Sequence, residues 1–255
     1  MDPLHVALLF AASIGAGVVN ALAGGGSLVT LPVLLGLGLP PTTAAATNAV
    51  AAWSGLLGGT MRYRDALAPH ARTVAVMAAL SVLGGGLGGG LMILTPHHLL
   101  ARAMPWMILT ATLAFLFAPY LRELVRTTED WAMRDPADLA GWRGVVQFLV
   151  SMLTGFFNPA GGVAMVAAFQ AFGVGDLRLA TGLKIVLGMA MTGASVAVFV
   201  AVGAVVWPIA LLMIAGTGLG GWVGAAIALR IDRRWLRGAL LAWGGVMSAA
   251  FLLPA

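Results

Sequence analysis

Residues 4–23 run for twenty positions without a charged side chain, and residues 73–94 run for twenty-two. An α-helix rises about 1.5 Å per residue, so about 20 such residues cross the roughly 30 Å hydrocarbon core of a bilayer. No other feature constrains the fold as strongly. In lipid every backbone N–H and C=O must be satisfied within the protein, which an α-helix does inside a single segment. Composition agrees, since hydrophobic residues make up 60% of the chain and charged residues 9%, against about a quarter charged in soluble domains. The longest charged stretch, residues 122–143, is too short to bury a core of its own. We therefore expect one integral membrane domain that is all α-helical and polytopic.

Long apolar segments fall at residues 4–23, 43–60, 73–94, 99–118, 142–157, 183–203, 207–229 and 235–253, eight in all. The first has an aspartate and no Lys or Arg ahead of it, unlike a cleaved signal peptide, and reads as a span. Two others, residues 27–39 and 162–172, are too short for an ordinary span. Each follows a glycine-rich break, "GGG" at 24–26 or "GG" at 161–162, and both read as half helices or re-entrant segments.

The chain repeats itself. Residues 20–52 overlay residues 156–188 so that Gly25 and Gly26 fall on Gly161 and Gly162, and Asn48 falls on Lys184. Farther on, "GGGLGG" at 84–89 answers "GTGLGG" at 216–221. The expected organisation is a first transmembrane repeat over 1–121, a central cytoplasmic linker over 122–141 and a second repeat over 142–255. Arginines gather at 62–72, 122–143 and 230–237, which marks those loops as cytoplasmic. Residue 60 then ends a span inside and residue 203 ends its counterpart outside, so the two pseudo-symmetric halves are inverted. With each short segment counted as a crossing, each half has five and both termini lie outside.

Each glycine weakens a helix interior by about 1 kcal/mol relative to alanine, so a clustered break calls for a reason. A helix amino terminus carries unpaired N–H donors and about half a positive charge, and so receives an anion without a charged side chain. Irregular backbone at membrane depth is tolerated where it lines a cavity. We expect a substrate-binding site at Gly24, Gly25, Gly26 and Ser27, joined by Gly161 and Gly162 near the midplane. The neighbouring polar groups are Asn20, Thr47, Asn48, Asn158, Gln170 and Thr181; they can donate to an anion without fixing a permanent charge. The other reading is close helix packing, which we prefer for "GGGLGGG" at 84–90 because no short helix follows it.

Lys184 is the only lysine in the chain. It stands in an apolar stretch where a charge costs about 2.5 to 3.5 kcal/mol, and it reads either as a pathway charge or as a side chain that snorkels to the interface. All nine acids lie at segment ends or in loops, which disfavours coupling through a buried carboxylate. Nucleic acid binding is not expected, because the +5 net charge sits in orienting loops. No cofactor or metal site is expected either: cysteine is absent, and "HH" at 97–98 lacks the i,i+4 spacing of a zinc pair. Catalysis is disfavoured, since no nucleophile with its base is legible.

These stretches, "NALAGGGSLVTLPVLLGLGLPPTTAAATNAVA", "GGTMRYR", "GFFNPAGG" and "LATGLKIVLG", resemble the sulfite exporter TauE/SafE family of bacterial inner-membrane permeases, over nearly the whole chain. The resemblance implies a multi-pass inner-membrane protein that moves small sulfur-containing anions such as sulfite or organosulfonates, often outward, by two pseudo-symmetric halves. It also implies that the threonine-rich stretch around Lys184 faces the pathway. The partners are then the small anion and the lipid bilayer; a homo-oligomer is left open. "GGGS" in the first half becomes "AGGV" in the second, a departure from two identical sites. A passive anion channel, or a transporter of another small organic anion, is the alternative.

Overall fold

The computed structural model describes residues 2–22, 25–60, 63–125 and 136–227. The elements among the described residues are helices, without strands: α1 (Pro3–Leu22), α2 (Ser27–Gly36), α3 (Pro41–Thr60), α4 (Arg64–Leu67), α5 (Ala71–Leu94), α6 (His97–Val125), α7 (Trp142–Phe156), α8 (Asn158–Phe172), α9 (Leu177–Ala201) and α10 (Trp207–Ile227). Gly24, the basic cluster at 230–237 and the expected last span at 235–253 lie outside the described residues. Among the described residues three stretches, Pro3–Asn20, Arg64–Leu94 and Arg178–Ala201, are long and apolar enough to cross a bilayer; Ser27–Gly36 and Trp207–Val223 are shorter and apolar.

Local chemistry moves several boundaries away from those expected of apolarity alone. The second short segment starts at Asn158, so Gly161 and Gly162 are helical and the break is the extended Phe157 (φ −140°, ψ 90°). Pro159 accounts for this, because its fixed φ and missing N–H suit the first turn of a helix. Helix α9 starts six residues before the expected 183. Asp176 Oδ1 accepts from the N–H groups of Arg178 at 2.7 Å and Leu179 at 3.4 Å, an N-cap the apolar pattern does not show. Lys184 is consequently two turns inside α9 instead of at its start. Helix α6 continues to Val125, past residue 121.

The chain forms two compact units: Met1–Gly55 with Ile93–Leu116 and Val200–Ala255, and Leu56–Met92 with Phe117–Phe199. In the first unit α1 packs on α10 and on α2. A Cβ at Gly17 would lie within 3.0 Å of the Thr217 and Gly220 backbone, one at Gly216 within 3.0 Å of Ser13 Cβ, and one at Gly220 within 3.0 Å of the Ile14 backbone.

In the second unit the same description holds for α7 and α5. A Cβ at Gly155 would meet the Gly85 backbone, one at Gly84 would meet Ser151 Cβ, and one at Gly88 would meet the Met152 backbone. Residues 13, 14 and 17 of α1 thus match 151, 152 and 155 of α7, each 138 positions on. Residues 84, 85 and 88 of α5 match 216, 217 and 220 of α10, each 132 on. Small residues at such crossings bring backbones together, which is how apolar helices associate without a hydrophobic driving force between them. The "GGGLGGG" of α5 is therefore a packing surface.

The opposite faces carry large apolar side chains. Leu83, Leu87, Leu91 and Leu94 are exposed along α5, Trp142, Val145, Leu149 and Leu153 along α7, and Leu211, Leu219 and Trp222 along α10. Stripes of small residues inward and large hydrophobics outward invert the soluble pattern and suit lipid. Inside the second unit Met165, Phe169, Phe172, Leu183 and Leu187 form the core. Trp142 meets Phe172 edge to face with centroids 5.4 Å apart.

Candidate functional site

Within the first unit a small pocket opens where the start of α2 meets α1, α3 and α10. Its polar lining is Asn20, Ser27, Thr30, Asn48 and Thr217, with Ala16, Ala51 and Ala52 as small apolar wall. Among the described residues no charged side chain lines it. Gly26 makes the approach feasible, since a Cβ there would strike the Ala16 carbonyl and lie 3.3 Å from Asn20 Cγ. Gly25 takes a positive φ of 104°, a conformation glycine adopts at little cost.

Asn48 is 2% exposed. Thr30 Oγ1 donates to its Oδ1 at 2.5 Å, and the side chain lines the pocket.

The amides of the break are differently placed from the bare donors expected. Gly25 and Gly26 N–H both donate to Asn20 Oδ1 at 3.2 Å. The following amides close turns: Leu28 donates to Gly25 O at 2.9 Å and Val29 to Gly26 O at 2.9 Å. Thr47 points elsewhere: its Oγ1 accepts from Val206 N–H at 3.1 Å and secures the entry to α10. Of the first-half candidates, the structure gathers Asn20, Gly26, Ser27 and Asn48, with Gly25 bonded to Asn20.

In the second unit Gly162 and Lys184 come together, with Lys184 Cε 3.8 Å from where a Gly162 Cβ would sit. Lys184 is half-buried, and Thr181 is one turn earlier on α9. Gly161 packs against the Thr154 side chain of α7, a packing role in place of the exposed amide expected. Asn158 Nδ2 donates to Thr192 Oγ1 at 3.2 Å. Gln170 is eight residues beyond Gly162, about 12 Å along α8, and does not join it.

Thr30 and Thr217 are pocket residues that sequence reasoning missed. The signal for Thr217 is "GTGLGG", where a threonine stands at the place of Gly85. A second missed signal is "SIGAGVVN" at 13–20 against "SMLTGFFN" at 151–158. It makes Asn20 the counterpart of Asn158, with two fewer residues before the glycines in the second half than the ungapped overlay assumes.

The chain is similar to proteins of matching length. It is 29% identical over 245 residues to a Haemophilus influenzae protein named "Probable membrane transporter protein", covering 96% of this chain and 93% of the relative. It is 28% identical over 252 residues to "Probable membrane transporter protein YfcA" of Escherichia coli K12, covering 99% and 91%. It is also 28% identical over 225 residues to "Probable membrane transporter protein ORF9" of a Sinorhizobium species, covering 88% and 83%. The sequence profile "Sulfite exporter TauE/SafE" matches residues 9–251. On that match, which takes in most of α1 and all of α2 to α10, the chain belongs to the sulfite exporter TauE/SafE family.

Proposed function

We propose that the protein is a multi-pass inner-membrane transporter that exports small sulfur oxyanions, sulfite or an organosulfonate, and seats the anion in the pocket between α1, α2, α3 and α10. The buried Asn48 carries this reading: it lines the pocket, its oxygen accepts from Thr30, and its carboxamide nitrogen is the donor we assign to the anion. Among the described residues the pocket offers neutral donors and no fixed charge, a combination that binds an anion yet lets it leave. Depth supports a membrane pathway. Thr217 lies ten residues into α10 from Trp207, about 15 Å, or half the bilayer core. In the second unit Lys184, whose stem lies against Gly162, is a pathway charge.

The transport machinery is two inverted repeats that exchange helices. Each glycine crossing joins a helix of one half to a helix of the other, α1 to α10 and α7 to α5, on corresponding residues. Duplicated folds of this kind place substrate sites near the bilayer midplane.

Purified protein in sealed vesicles, given radiolabelled sulfite, tests the proposal. Saturable uptake with counterflow is expected of a carrier. Uptake linear in concentration and without counterflow makes the protein a channel, and uptake no faster than protein-free vesicles removes the anion reading.

A further inference from the structure

The two N–H groups of Gly25 and Gly26 converge on one point, and that point is occupied by Asn20 Oδ1, at 3.2 Å from each nitrogen. Successive backbone amides at a helix start make a concavity for an anionic oxygen; here a neutral side-chain carbonyl fills it. Asn20 lines the same pocket as Asn48, which is 2% exposed. We propose that Asn20 is a built-in surrogate ligand: its carboxamide oxygen holds the seat of one substrate oxygen and must swing away before an anion binds.

This rests on the anion pocket proposed above and adds to it a rule of selection. Hydrogen bonds to an ionised acceptor are about twice as strong as those between neutral groups, so a sulfonate or sulfite oxygen displaces the carbonyl while a neutral ligand gains nothing by doing so. The exposed Asn20 side chain keeps water as an alternative partner once displaced, which keeps the exchange reversible. The protein that awaits substrate is thus partly self-occupied, and its apparent affinity is reduced by the fraction in that state.

The full chain in detergent, titrated with sodium sulfite and with sodium methanesulfonate by calorimetry, tests the inference. Asn20→Ala removes the competitor, and binding is expected to tighten about five- to tenfold. Asn20→Asp has the same shape and keeps a charged oxygen on the two amides, so binding is expected to weaken about tenfold or more. An Asn20→Ala protein that binds as the parent does or more weakly overturns the surrogate role, as does Asn20→Asp at parental affinity; the near-isosteric Asp variant answers even if the Ala variant does not fold. Asn48→Leu separates the two ideas: if it weakens binding while Asn20→Ala fails to tighten it, the pocket stands and the surrogate falls. If the parent shows no saturable binding of either salt, both fall.

Discussion

Alanine at Gly88 and at Gly220 should damage the protein similarly, although the two lie 132 residues apart. A Cβ at Gly88 would fall within 3.0 Å of Met152 O and C and of Phe156 N, and one at Gly220 within 3.0 Å of Ile14 O, C and Cα. All six are backbone atoms, so no side chain can rotate aside and the helix pair must separate. Overpacking of this kind costs about 1–3 kcal/mol, and at a backbone contact the upper half of that range applies. Alanine returns about 1 kcal/mol of helix propensity, leaving a net loss of roughly 1–2 kcal/mol and a melting temperature lower by about 2–8 °C. Gly90 and Gly221 provide the control, because a Cβ at either meets nothing within 4 Å; their alanine variants should match or exceed the parent. Thermal unfolding of the detergent-solubilised protein measures all four. Equal losses at Gly88 and Gly90, or a loss at Gly88 with none at Gly220, would refute the matched crossings.

Asp176→Ala removes the two cap bonds of α9 and should cost about 1 kcal/mol, read as a drop of roughly 2–4 °C in melting temperature. Gln147→Leu should be neutral or stabilising. Gln147 Oε1 is buried without a partner, the Ser81 and Ser151 hydroxyls keep backbone acceptors at 2.7 Å, and the matching position in the first unit is the fully buried Leu9; a loss above about 2 kcal/mol would show that the polar cluster holds the unit together. Lys184→Met keeps the apolar stem and should lower sulfite affinity by roughly tenfold to a hundredfold, with partial recovery in Lys184→Arg. Parental transport by the methionine variant would make Lys184 an interfacial side chain.

Apolar run length alone locates α1, α2, α3, α5, α7 and α10 within a few residues, because in lipid the cost of a polar backbone leaves little freedom. It fails where capping competes with apolarity. A proline in the first turn carries helix through two glycines at 161 and 162, and Asp176 starts α9 inside a stretch that reads as loop. The first-half site is legible in part: Asn20, Gly26, Ser27 and Asn48 meet, since a break, a short helix and a polar helix face are local features. That Asn20 would occupy the amides of Gly25 and Gly26 is not legible, because the match of Asn20 to Asn158 is hidden by a two-residue difference in the breaks. Which helices pair is a long-range outcome. It is written in the glycine and serine spacing of α1 and α7, and apolarity is blind to it.

Sulfite uptake into vesicles by Asn48→Leu, side by side with the parent, tests the anion pocket most directly. Leucine fills a similar volume, and Thr30 Oγ1 retains the Gly26 carbonyl at 3.4 Å as an alternative acceptor, so the protein should fold as before. A hydrogen bond to an anion is worth about 1.5–3 kcal/mol, and the concentration for half-maximal uptake should rise by roughly tenfold to a hundredfold. Uptake by the folded variant that is indistinguishable from the parent's would contradict the pocket.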